Sequence, residues 1–272
     1  LRLSLSGLAF SIHPAEDLSE QERQALERLG QFETPLFGRE TFALHLCDQP
    51  PWKGAEASGV PMGAPAAVQP HEDTVRVRHA ALFAELEPLK GRGRLYRNTI
   101  ESFALEICLR VALGCRLPLE GGLPLHAAGL AAEGKGLAFF GPSGAGKSTL
   151  AGVSPYPVLS DELIAITPSP EGFQLRATGF WGTLDGGKAE RTALPLAGLF
   201  SLEKGDRFNL TRLDRMAAFR RLLEVLLVPS APWLWSPAMA VLNRLVSEVP
   251  VYRMAWSPAE PPWKELQRGL DL

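Results

Sequence analysis

The sequence predicts an α/β fold, a mixed sheet with helices, organised around a glycine-rich loop that joins a strand to a helix. Three observations predict it. Two short apolar runs, 123–132 and 136–141, flank Glu133-Gly134-Lys135 and read as a β-hairpin. The second run feeds directly into Gly141-Pro-Ser-Gly-Ala-Gly-Lys147-Ser148-Thr149, which satisfies G-x-x-x-x-G-K-[ST]. Downstream, apolar runs at 158–167, 173–178, 194–202 and 249–256 read as strands, and helical periodicity marks 214–228 and 237–247.

Ahead of the hairpin, Leu1, Leu3 and Leu5 alternate, and the phase changes at Gly7 to Leu8, Phe10 and Ile12, as in two strands joined by a tight turn or bulge. The N-terminal stretch has no basic region followed by a continuous apolar run and a small-residue cleavage site, so no signal peptide is expected. Ser19–Leu29 predicts a surface helix. Residues 48–72 form a Pro/Gly/Ala-rich loop, and 74–89 return to apolar patterning. Arg92, Arg94 and Arg97 lie in a glycine-rich turn, a solvated basic cluster or an anion-recognition patch. Between Thr99 and Leu113, Ile100, Phe103, Ala104, Ile107, Cys108 and Val111 fall on one helical face, with Gly114 as the expected stop. This divides the chain into an N-terminal accessory or substrate-recognition module, 1–98, and a catalytic domain, 99–272.

Composition excludes several classes. With 28 basic and 30 acidic side chains in 272 residues, the formal charge of −2 points neither to nucleic acid nor to an anionic membrane surface. No apolar run reaches the roughly 18 residues of a membrane span. Cys47, Cys108 and Cys115 are too few, and wrongly spaced, for a disulfide framework or a zinc site. Cys108 and Cys115 read as core residues and the chain as cytoplasmic. Trp233 and Trp235, in a Pro-rich run, read as core packing or a contact patch.

The loop chemistry needs these residue types at this spacing. Gly141, Gly144 and Gly146 let the backbone of Ser143 and Ala145 curl, so that successive N–H groups face phosphate oxygens. Lys147 would reach the terminal phosphates and the Ser148 hydroxyl a Mg²⁺ ion, with Thr149 in the following turn. Asp161-Glu162 ends a short apolar strand only a few turns beyond Lys147. An acidic pair there can complete a metal site or take a proton, and Pro155 and Pro157 keep the intervening helix short. His126 lies across the hairpin from the loop. A lone histidine on an apolar strand is by default structural, but this register would bring it beside the phosphates. Lys188, Arg191 and Lys204 are candidates for a further cation, and Thr178–Gly187 for an acceptor-side loop.

Leu123-Pro-Leu-His126-Ala-Ala, the loop 141–149 and Leu159-Ser-Asp161-Glu162 together resemble the catalytic domain of HPr serine kinase/phosphorylase. They are more similar still to HPr-kinase-related proteins encoded near peptide-modification systems, lasso-peptide tailoring kinases among them. Pro195–Gly205 and the helix around Ala217–Leu223 extend the resemblance. It implies a mixed-sheet P-loop kinase core of the HPr kinase/phosphoenolpyruvate carboxykinase type. It also implies ATP and Mg²⁺ as cofactors, homo-oligomerisation, and phosphoryl transfer to a serine hydroxyl of a peptide or protein acceptor. Lys147 and Ser148 match the nucleotide- and Mg²⁺-binding positions, Asp161 the proposed base, and His126 the histidine close to it. Glu162 stands where the family has a second aspartate, beside Ser148 and Asp161 as a metal-ligand candidate. A nucleotide-binding regulatory or scaffold protein and an ATP hydrolase are the competing readings.

Overall fold

A computed structural model describes residues 1–14, 18–30, 41–47, 65–97, 103–184 and 193–270. The chain divides into two compact units, Leu1–Glu120 with Val228–Pro237, and Gly121–Leu227 with Ala238–Leu272. Both are built on mixed sheets with helices, as the patterning predicts. The long helix that follows residue 98 groups with the first unit.

The first unit opens with the predicted strand pair, β1 (Arg2–Leu5) and β2 (Leu8–His13). The helix α1 (Glu20–Gly30) leads toward β3 (Phe42–Cys47), and β4 (Ala67–His71), β5 (Thr74–His79), β6 (Leu82–Glu87) and β7 (Arg92–Arg97) follow. They form one seven-stranded sheet in the order β1-β2-β3-β7-β6-β5-β4, with β3 parallel to both β2 and β7. The basic cluster therefore sits on a strand rather than in a turn: Arg92 faces Glu87 across the β6–β7 ladder, and Arg94 faces Glu85. The helix α2 (Phe103–Leu119) runs through the expected stop at Gly114, which is buried on its packed side with Cys108 and Cys115. Burial pushes the Cys108 thiol up to about 12 and the Cys115 thiol higher still, so both are inert packing groups. Residues 99–102, and 48–64 of the proline-rich loop, lie outside the described residues.

The second unit carries the hairpin, β8 (Leu123–Ala132) and β9 (Lys135–Phe140), closed by Glu133 and Gly134 with φ of 48° and 76°. The helix α3 (Lys147–Gly152) is short, as Pro155 and Pro157 require. The single strand expected over 158–167 is two, β10 (Val158–Ser160) and β11 (Leu163–Ser169). Ser160 Oγ breaks it by accepting the N–H groups of Glu162 and Leu163, both at 3.1 Å. After these come β12 (Gly172–Ala177), β13 (Leu194–Lys204), β14 (Asn209–Arg212), α4 (Arg215–Leu223), α5 (Pro232–Glu248), β15 (Val251–Trp256) and α6 (Trp263–Leu270). The first residues of α5 group with the first unit, where Trp233 Nε1 donates to the Glu72 carbonyl at 2.7 Å. Trp233 and Trp235 are thus half-buried in a helix start, not in an irregular run.

β8 pairs with β11 along its first half and with β9 along its second, and β9 continues into parallel pairing with β13 and then β15. The core follows that parallel trio. Phe139, Phe200 and Tyr252 occupy matched positions on the three strands, with ring centroids 4.9 and 5.4 Å apart. Trp263 from α6 closes edge-on against Phe139. This aromatic layer holds rigid the strand end from which the glycine-rich loop leaves.

Candidate functional site

The hairpin register explains how distant residues meet. Ala127 pairs with Phe140, which puts His126 opposite the start of the loop at Gly141. Leu163 pairs with the same His126 from the other side. The middle of β8 thereby gathers the end of β9 and the turn between β10 and β11, so that His126, the loop and the acidic pair converge.

The loop has the conformation its glycines permit. Gly146 sits at φ 99° immediately before α3, a left-handed position that a side chain would strain. Ser143 and Gly144 form an exposed crest, and an added Cβ at Gly144 would meet nothing within 4 Å. Ala145 is buried beneath the crest, while Thr149 faces solvent in α3. Lys147 is only 7% exposed, and its Nζ donates to the carbonyls of Gly141 at 3.0 Å and Pro142 at 3.4 Å. Burial pulls its ammonium below the usual lysine range, and the nearby Glu162 carboxylate opposes that pull.

Asp161 is 1% exposed and saturated with donors. Its Oδ1 accepts the Gly182 N–H at 2.8 Å, and its Oδ2 accepts those of Thr183 at 2.9 Å and Leu184 at 3.2 Å. The nearby Ser148 hydroxyl also favours its charged form. Burial pushes the carboxyl upward, but these hydrogen bonds win and hold it below the usual aspartate value. Glu162 Oε1 lies 3.7 Å from His126 Nδ1, with both side chains about a third exposed (32% each). The described part of the glycine-rich stretch, 178–184, is therefore the partner of Asp161, tied down further by Thr178 Oγ1 donating to the Leu163 carbonyl.

All the residues singled out in the hairpin, the loop and the acidic pair come together at one end of the second unit. Of the three further cations, Lys188 and Arg191 lie outside the described residues. Lys204 lines a cavity of about 590 Å³ against the loop, with Pro142, Ser143, Ser201, Glu203 and Arg221. Arg221, Ser201 and Glu203 escaped sequence reasoning. The one available signal was the charged end, Glu203-Lys204, of an otherwise apolar strand.

The donor set suits a polyanion with a hard cation. The loop supplies backbone N–H groups and the Lys147 ammonium, and Ser148 and Asp161 supply oxygens. Among the described residues no group of three or more His, Cys, Asp or Glu side chains could hold a metal ion. The arrangement thus fits a Mg²⁺ that takes most of its ligands from phosphates and water. Nor, among the described residues, is any helix long and apolar enough to cross a membrane. Compared with known proteins, the chain matches no family model and no curated protein.

Proposed function

We propose that this chain is an ATP-dependent kinase, with a P-loop core of the HPr kinase/phosphoenolpyruvate carboxykinase type. It transfers the γ-phosphoryl group to a hydroxyl, that of a serine in a peptide or protein acceptor, in the cytoplasm. The observation that carries this reading is the meeting of Ser148 and Asp161 beside a buried Lys147, at the mouth of a loop with the G-x-x-x-x-G-K-S spacing.

In this reading the loop amides from Ser143 to Ser148 and the Lys147 ammonium bind and orient the phosphates. To do so Lys147 leaves the Gly141 and Pro142 carbonyls. Ser148 and Asp161, with Glu162 adjacent, would hold Mg²⁺, which when bound neutralises charge on the transferring phosphoryl group. Asp161 takes the acceptor's proton, and one of its N–H donors from Thr183 or Leu184 must yield to make room. His126 orients the neighbouring Glu162, the second carboxylate within reach of that proton.

The test is ATP consumption by the purified protein with Mg²⁺, with and without a set of serine-containing peptides. Consumption that depends on the acceptor, with label from γ-phosphate recovered on serine, supports the kinase. Consumption that ignores the acceptor makes the protein a hydrolase. Binding with no consumption makes it a nucleotide-dependent scaffold.

A further inference from the structure

The cavity against the glycine-rich loop has a second wall, and that wall carries a guanidinium. Phe140, the residue before the loop, pairs in register with Ser201 on β13, and neighbouring strands lie about 4.8 Å apart. A Cβ on Gly141 would stand 3.2 Å from the Leu202 carbonyl oxygen, so the loop leaves its strand pressed against β13. Arg221 reaches this strand end from α4. Its Nη1 donates to Ser201 Oγ at 2.9 Å and its Nη2 to Glu203 Oε1 at 2.7 Å. The two charged side chains are 36% and 37% exposed, so the pair sits at the cavity edge rather than in the core. Half-exposed pairs of this kind are weak and readily exchanged.

A guanidinium presents five N–H donors in a fixed fork that matches phosphate oxygens as well as carboxylate oxygens. Glu203 therefore offers Arg221 the chemistry that a phosphoryl oxygen would offer, while Ser201 keeps the fork aimed along the strand end. We infer that Arg221 is a specificity-determining residue that tells a nucleoside triphosphate from a diphosphate, exchanging Glu203 for the terminal phosphoryl group. The inference rests on the nucleotide reading above. On that reading the loop amides serve phosphates that both nucleotides carry, and the third would enter the cavity that Ser143 and Arg221 both line. Glu203 sets the threshold of the exchange, because an anion must displace it.

The experiment is calorimetric titration of the whole chain with ATP and with ADP, each with Mg²⁺ and again in EDTA, so that binding is read without turnover. The wild type is expected to prefer ATP. Arg221→Ala should weaken ATP roughly 10- to 100-fold, the range of a lost hydrogen bond to a charged group, and leave ADP within about twofold. Glu203→Gln, which leaves Arg221 in place and removes its competitor, should raise the ATP preference. It carries the test should Arg221→Ala fail to fold, as judged by its melting transition without nucleotide. An ATP preference that survives Arg221→Ala, or a Glu203→Gln protein with unchanged discrimination, overturns the inference and leaves the nucleotide reading standing. A wild type that binds ATP and ADP equally does the same. A wild type that binds neither overturns both.

Discussion

Among the described residues two acids are buried, one in each unit, and they are held in opposite ways. Glu22 in the first unit is fully buried and meets a cation directly: its Oε2 accepts from Arg97 Nη1 at 2.6 Å and from the backbone and hydroxyl of Ser19 at 2.8 and 2.9 Å. Asp161 in the second unit is as deeply buried but is held by backbone N–H groups. Lys147, a buried cation of that unit, turns to backbone carbonyls instead of pairing with it. A closed ion pair such as Glu22–Arg97 fixes an element of the fold, here joining α1 to β7. Opposite charges buried near one loop and kept apart by dipoles leave each able to take a partner of the other sign. On the proposed function, the contrast separates a structural charge from one arranged for ligands.

The largest effect should come from Lys147. Lys147→Met removes the ammonium and keeps the stem. The wild type with Mg·ATP at a hundredfold excess over Kd should gain about 2.7 kcal/mol of stability, and the variant none. Without nucleotide the variant should melt at or above the wild-type temperature, since burial disfavours the ammonium in the ligand-free fold. A variant much less stable than the wild type would make Lys147 a structural charge like Glu22 and erase the distinction. The next effect belongs to Glu22. Glu22→Gln takes the carboxylate charge away from the partly buried Arg97 guanidinium and should cost about 3 kcal/mol in urea denaturation. ATP affinity should stay within twofold. A loss of nucleotide affinity in that variant would show that the two buried acids are not functionally separate.

What could be read in advance follows the range of the interactions. The glycine-rich loop, the early stop of α3 and the acidic pair were legible because each is a local spacing of a few residues. His126 was legible one step further out, through the hairpin alone. Arg221 and Glu203 were not, because their place beside the loop depends on the parallel pairing of β9 with β13 and on the return of α4, contacts that no local pattern encodes. Gly114 misled for the converse reason. A glycine reads as a stop in isolation, but where α2 is buried the tertiary contacts outweigh its poor helix propensity. The turn at Asp161 was hidden too, since it is made by one hydroxyl, Ser160, in a run whose apolar pattern continues on both sides.

Asp161→Asn tests the second half of the comparison. The amide keeps one acceptor oxygen but points a donor at N–H groups, which should cost about 2 kcal/mol. The pH dependence has a definite sign. The folded-state pKa lies below the ordinary 3.8, so the aspartate's stabilisation is full above that value and is lost as pH falls through the depressed one. Wild-type urea midpoints should therefore drop below about pH 4 more steeply than those of Asp161→Asn. Parallel curves would mean that the N–H groups of 182–184 do not favour the charged form.

The smallest effect, and the finest test, is Gly182→Ala. An added Cβ would lie 3.1 Å from Glu162 Oε2 and 3.2 Å from Asp161 Oδ2, close enough to shift the carboxylates by tenths of an ångström without a backbone penalty. Stability should change by no more than about 1 kcal/mol, because the acid ends can give way. Phosphoryl transfer is more exacting, since small misplacements of reacting groups cost far more in rate than in folding. The expected result is a drop in kcat of roughly tenfold or more, with KM for ATP nearly unchanged. Equal losses in kcat/KM and in stability would instead make the 182–184 contact a piece of scaffold, and Asp161 the anchor of a loop rather than an acid held ready for chemistry.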